Sequence, residues 1–194
     1  MFKKTALFAG IALAISATAQ ADYRFEVDTA ITGEDVETLA VGASAFLQPV
    51  DDSKGPLAEA AFTDQASSLS LLALDGETDV DTAEDLDLEI YAVDARYVTK
   101  KTGSWIVDLG YERSEPGDEE IDTFSIGAGK YLWDTTTLVF TYSNSEPDEG
   151  SDVDIYRLDF DHLWIFGNDG GLKVHGAYAL EDIDEDDFED RDDI

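Results

Sequence analysis

Cysteine is absent from the 194 residues, which excludes a disulfide framework and any thiolate metal centre. Cationic side chains are scarce as well, with 12 Lys and Arg against 45 Asp and Glu, a formal net charge of −33. Phosphate contacts need Lys and Arg, so the chain is expected to repel nucleic acid and to attract cations. The only histidines are His162 and His175, and no Gly-x-Ser-x-Gly or His-Glu-x-x-His pattern occurs. No catalytic residue, cofactor or resident metal is therefore expected, and the chain does not read as an enzyme. Missing too is any run of about 18 consecutive apolar residues, so no helix is expected to cross a membrane. Disorder is not the consequence of the acidity, because aromatics make up 11% of the residues and recur in regularly spaced runs.

What is present begins with a leader. MFKKTALFAGIALAISATAQA sets Lys3 and Lys4 ahead of a short apolar stretch and closes on Ala19-Gln20-Ala21. A basic start, an apolar centre and a small-residue end make a secretory signal peptide, with cleavage expected after Ala21. A buried N-terminal helix would need a polar face, and Ala6 to Ala17 offers only Gly10 and Ser16 to build one. The chain thus divides into a leader, residues 1–21, and a mature exported part, residues 22–194. Losing Lys3 and Lys4 takes the net charge from −33 to −35.

The mature part alternates with period two, which puts successive side chains on opposite faces of a strand. Tyr23, Phe25 and Val27 alternate with Arg24, Glu26 and Asp28. Trp105, Val107, Leu109 and Tyr111 alternate with Ile106, Asp108, Gly110 and Glu112. The same pattern runs through Phe124 to Ala128, Leu138 to Tyr142, Tyr156 to Trp164 and Leu172 to Leu180. These runs have about the ten residues that a tilted strand needs to cross a bilayer. Leu39 to Leu47, Ser67 to Leu74 and Leu86 to Thr99 alternate less cleanly. Pro56 to Ala66 is read as the entry to a strand, with a short helix as the alternative because its alanines and Leu57 favour one. The fold class expected is all-β, an antiparallel up-and-down transmembrane β-barrel with about 8–10 strands present.

Two patterns separate a membrane barrel from a soluble sandwich. Links around Lys100 to Gly103, Asp134 to Thr136 and Gly167 to Gly170 are tight. Those around Asp75 to Asp85, Ser114 to Asp122 and Glu146 to Asp152 are longer and acidic. Outer-membrane barrels alternate links in this way, short in the periplasm and long outside. With the mature N-terminus in the periplasm, every acidic link lies outside, and the first tight link is expected at Gln48 to Pro56. Aromatics supply the second pattern: Tyr97, Trp105, Tyr131, Trp133, Trp164 and Phe166 flank the tight turns and are expected to form a periplasmic girdle. His162 shares the parity of Phe160 and Trp164 and belongs with that girdle, whereas His175 faces inward near the same end.

The stretch FLQPVDDSKGPLAEAAFTDQASSLSL, Phe46 to Leu71, follows a signal peptide and the opening DYRFEVD. In this it resembles the N-terminal part of the general bacterial porin family of proteobacteria. The resemblance implies a porin-type barrel in the outer membrane of a Gram-negative bacterium and no named site residue. The chain departs from the usual pattern at Asp190-Arg191-Asp192-Asp193-Ile194. Ile194 falls in an outside loop after an odd strand, which leaves an unpaired edge that lipid cannot hydrate. The expectation is a barrel lacking C-terminal strands; an acidic tail on a complete small barrel, and closure by self-association as a homo-oligomer, are the other readings.

Function is expected from the inner face. Arg24, Glu26, Asp28, Asp94, Arg96, Asp108, Glu112, Arg157, Asp159, Asp161 and Lys173 lie opposite the aromatics. A charge facing lipid costs about 2–4 kcal/mol at the midplane, so these residues are the candidate lumen lining. Passive diffusion of small hydrophilic solutes, with a preference for cations, is the first reading. The alternative is a non-conducting structural or adhesion barrel, since small barrels fill their interiors with side chains. Its acidic outer loops would hold divalent cations against the lipopolysaccharide that, with outer-membrane lipid, is the expected partner. Asp182 to Asp187 begins like a calcium loop, but Asp187 stands where that loop needs Gly. Gly167-Asn168-Asp169-Gly170 reads as a hairpin turn.

Overall fold

The computed structural model describes residues 12–14, 22–32, 36–51, 53, 56–78, 86–100, 103–117, 119–148, 150–167 and 170–183. Most of the leader, the acidic link 79–85, Lys101, Thr102, Asn168, Asp169 and the acidic run from Asp184 to Ile194 lie outside the described residues. Ten strands follow one another in a single sheet whose spatial order is the sequence order. A three-residue β1 (Ala12–Ala14) precedes nine long strands: β2 (Asp22–Thr32), β3 (Val36–Asp51), β4 (Ser68–Thr78), β5 (Leu86–Thr99) and β6 (Trp105–Pro116). The remaining four are β7 (Ile121–Trp133), β8 (Thr136–Pro147), β9 (Val153–Phe166) and β10 (Gly170–Ile183). Each pairs antiparallel with its neighbours, and the sheet curls into a half-barrel. Among the described residues no pairing joins β10 to β1 or β2.

Sequence chemistry explains the register. Each long strand carries branched or aromatic residues on one parity and small or polar residues on the other, and only one register keeps the two sets on opposite faces. Val107 pairs with Ala128, Leu109 with Ile126 and Tyr111 with Phe124, all on one face. Asp108 pairs with Gly127 and with Arg96 on the other. The apolar face is the exposed one, and it runs across β2 to β10 through Phe25, Val41, Leu71, Val93, Leu109, Ile126, Phe140, Leu158 and Val174. Soluble proteins rarely expose a contiguous apolar band of this extent, whereas a bilayer-facing barrel wall requires one.

Three expectations about the links change. The strands run further than their alternation suggested, so β4 reaches Thr78, β6 reaches Pro116 and β8 reaches Pro147, absorbing much of the predicted acidic loops. The first tight link is not at Gln48 to Pro56, because β3 continues to Asp51 and the chain then makes a long excursion before β4. Pro56 to Ala66 is not a strand entry: Leu57–Glu59 is a 3₁₀ turn and Ala60–Thr63 a helix, α1. The reason is backbone bonding. The excursion leaves the sheet, where no ladder partner exists, so its amides must bond internally, as Asp64 N–H does to Ala60 C=O at 2.8 Å and Ala66 N–H to Ala61 C=O at 2.9 Å. Ala60 and Ala61 make that inexpensive.

The core lies beneath this excursion. Ala60 and Ala66 pack on Phe46 and Val50 of β3. Phe62 packs on Val98, Ile106, Tyr131 and Val139. At the far side Lys173 of β10 meets Glu59 at 3.1 Å. A flat sheet would separate β3 from β10 by roughly 34 Å at about 4.8 Å per strand. One short segment touches both because the sheet curls around it. Ile106 is 1% exposed, and Ile106→Ala is expected to destabilise the folded state by about 2–5 kcal/mol, read from denaturant unfolding in detergent.

Candidate functional site: the concave wall

The concave face is built from one parity of every strand. Cross-strand register places Glu26 beside Ser44, Ser44 beside Ser70, Ser70 beside Asp94, Asp94 beside Gly110, and Gly110 beside Ser125. Gly110 bears no side chain because the Asp94 carboxylate and the Ser125 hydroxyl occupy the space its Cβ would need. Asp28 lies beside Gly42, and Glu112 beside Ala92 and Thr123. Closer to the end that bears the tight turns come Arg96 and Asp108, then Arg157, Asp159 and Asp161, then Lys173. Arg24 stands where the β2–β3 register breaks, between Tyr23 paired with Val50 and Phe25 paired with Ala45. The other ten charged residues named from the sequence share the face that carries α1.

Their electrostatics differ with height. Near the turn end, Arg96 donates two hydrogen bonds of 2.8 Å to the Asp108 carboxylate. Arg157 meets Asp159 at 2.7 Å. His175 lies 3.1 Å from Asp161 and 3.5 Å from Asp159. Lys173 holds Glu59, with its ammonium also 4.6 Å above the Phe62 ring, and Lys100 holds Asp64 at 3.2 Å. Gln65, at a left-handed φ of 53°, accepts a 2.6 Å bond from Ser104, itself at φ 54°. These bonds tie the excursion to the turns beneath β5–β6 and to β10. Nearer the opposite end, Glu26, Asp28, Asp94 and Glu112 have no ion pair among the described residues.

Of the six aromatics named for the girdle, five are exposed and one is buried. Tyr97, Trp105, Trp133, Trp164 and Phe166 are exposed on the apolar face. Tyr131 is 5% exposed and packs on the concave side, its ring 5.5 Å from Phe62, whereas Trp133 is 70% exposed. Two residues apart, they should share a face, but a bulge between them pairs Tyr131 with Thr137 and Trp133 with Thr136. His162 bonds Thr136 at 2.7 Å and lies edge-on to Trp164 at 4.3 Å, which places it with the girdle residues.

A second belt was missed. Tyr91, Tyr111, Phe124, Tyr142, Tyr156 and Tyr178 lie on the same apolar parity toward the opposite ends of their strands. Tyr91 donates to Glu89 at 3.0 Å, Tyr111 to Asp122 at 2.8 Å and Tyr142 to Asp154 at 2.8 Å. Rings on the apolar side with hydroxyls reaching toward charged rims are the arrangement of an interfacial belt. Counting upward from the first girdle along each strand would have found it.

Two aromatic belts, an apolar face turned outward and a polar face turned inward describe the wall of a membrane barrel. The family model described as "Putative general bacterial porin" matches residues 2–188. The chain belongs to that family. This porin is accordingly an outer-membrane protein of the bacterial cell, with an all-β, up-and-down fold. A solved structure, the outer membrane protein Omp33 of Acinetobacter baumannii, is similar at 21% identity and a TM-score of 0.49, over 83% of this chain and 71% of that one. No curated protein sequence matches the porin.

Proposed function

We propose that the porin's concave wall lines a water-filled path for passive diffusion of small hydrophilic solutes and that the path prefers cations. The observation that carries this reading is the composition of the wall: Glu26, Asp28, Asp94, Asp108, Glu112, Asp159 and Asp161 outnumber Arg96, Arg157 and Lys173 on it. A water-filled passage bounded by a low-dielectric wall focuses the field of such charges and concentrates the opposite ion. The turn end faces the periplasm and the acidic rim faces outward, where the partners are outer-membrane lipid and lipopolysaccharide. We read the leader as removed after Ala21, ahead of β2. Removal would also take away β1, which occupies the edge of β2 by pairing with Asp28 to Ala30. Backbone groups along a strand edge need partners inside a bilayer, so the conducting form has strands beside β10.

A non-conducting structural barrel is the second reading. It is favoured by the segment 56–67, which lies across the turn end of the concave face and is held there by Glu59, Asp64 and Gln65. Single-channel recording in planar bilayers under a salt gradient separates the two. Stepwise openings with a reversal potential on the cation side are expected; silence after verified β-rich insertion would leave only the structural barrel.

A further inference from the structure

The wall charges fall into two classes, and the division follows the barrel axis. Toward the turn end nearly every cation has an anion in contact: Arg96 with Asp108, Arg157 with Asp159, Lys173 with Glu59, Lys100 with Asp64. A paired set presents little net field to a passing ion, because each partner cancels the other within a few ångströms. Toward the acidic rim the wall bears carboxylates alone. Asp28, Asp94 and Glu112 are exposed to the concave space and Glu26 is half-buried. None has an ion pair among the described residues. Between them stand Ser44, Ser70 and Ser125, small hydroxyls that leave room and can hydrate a cation. The rim carboxylates form a separate group on the other face: Glu89, Asp122 and Asp154 point to the lipid side, bonded to Tyr91, Tyr111 and Tyr142.

Resting on the porin reading above, we infer that Glu26, Asp28, Asp94 and Glu112 are the residues that set ion selectivity, and that the far more numerous carboxylates of the rim and loops are not. The substrate class they favour is small cations, inorganic or organic ammonium, whose charge comes within a few ångströms of the wall. The lower wall contributes shape, with its charges neutralised by pairing. The expected signature is a cation preference that outlasts salt screening, because charges at an exposed mouth are largely screened once the Debye length falls to ~3 Å at about 1 M salt, whereas partly buried wall charges in a narrow passage are screened much less.

The test uses the full-length protein extracted from outer membranes, recorded in planar bilayers at about 0.1 M and about 1 M potassium chloride, where the Debye length is ~10 Å and ~3 Å. The carboxamide variant Asp94→Asn with Glu112→Gln is compared with wild type and with a rim variant, Glu89→Gln plus Asp154→Asn, which removes the same number of charges from the lipid side of the rim. Heat-modified gel mobility first establishes that each variant is folded. The cation-to-anion permeability ratio of wild type is expected to persist at about 1 M, to fall by about twofold or more in the carboxamide variant, and to hold in the rim variant. A preference that vanishes at about 1 M in wild type, or one that survives the carboxamide variant unchanged, would overturn the assignment and move selectivity to the mouth. Normal conductance with that result would leave the porin reading intact, while absence of conductance in folded wild type would remove both.

Discussion

Phe140→Arg is expected to abolish stable insertion while Ser143→Arg, three residues along the same strand, leaves it intact. Phe140 lies mid-strand in β8 on the apolar face, 49% exposed and paired with Ala128 and Leu158. An arginine there must enter hydrocarbon, at about 2–4 kcal/mol near the midplane. Whole domains are stable by only about 5–15 kcal/mol, so this one change removes a large share of the margin. Ser143 has the opposite parity, beside Ser125 and Ile155 on the concave wall. There the guanidinium meets water, and its positive charge instead lowers the preference for cations. Folding into vesicles of defined lipid, read by heat-modified mobility and circular dichroism, checks the contrast. Equal losses in both variants would mean that the two faces have been assigned wrongly.

Replacing residues 57–65 by a short glycine-serine linker is expected to raise single-channel conductance by about twofold or more while leaving insertion unchanged. The segment places a 3₁₀ turn and α1 inside the curl of the sheet, and a helix with side chains is about 10–12 Å across. Its removal would expose Val98, Ile106, Tyr131 and Val139 to the passage and free Lys173 and Lys100 from Glu59 and Asp64. The freed cations should reduce cation preference even as total current rises, so the two readouts move in opposite directions. The apolar outer face does not touch the segment, and insertion depends on that face. Conductance that stays at the wild-type level would show that the narrowest point lies elsewhere along the wall.

The segment is also where sequence reasoning went astray, and the reason is physical. Pro56 to Ala66 contains no period-two run, so alternation is silent about it; its alanines allow a helix, and the surrounding strands suggested another strand. What decides its conformation is the absence of a strand to pair with and the presence of an apolar patch on β5 to β8 that Phe62 can cover. Both facts concern residues distant in the chain. The link lengths went the same way: Asp75, Ser114 and Glu146 look like loop residues, but each has a cross-strand partner that draws it into a ladder.

Tyr131 gives the clearest case. Its parity with Gly129 and Gly127 already placed it on the inner face, while its position beside a tight turn suggested the girdle. The bulge before Trp133 reconciles the two by sending Tyr131 inward and Trp133 outward. A bulge is a defect in register, and it becomes visible only when the partner strand is known.

By itself the sequence determined the all-β class and the up-and-down order of the long strands. These follow from period two, a property of the single extended chain that needs no partner. The tertiary structure alone decided which charges cancel and which remain open. Arg96 and Asp108 are as polar in the sequence as Asp94 and Glu112, yet register sets the first two side by side in an ion pair and leaves the others without one among the described residues. It also decided that residues 56–67 fold inward, because covering Ile106 and Tyr131 requires the sheet to curl first. Pairing and burial are relations between distant segments, and in this porin those relations turn a set of polar positions into a wall with one neutralised end and one acidic end.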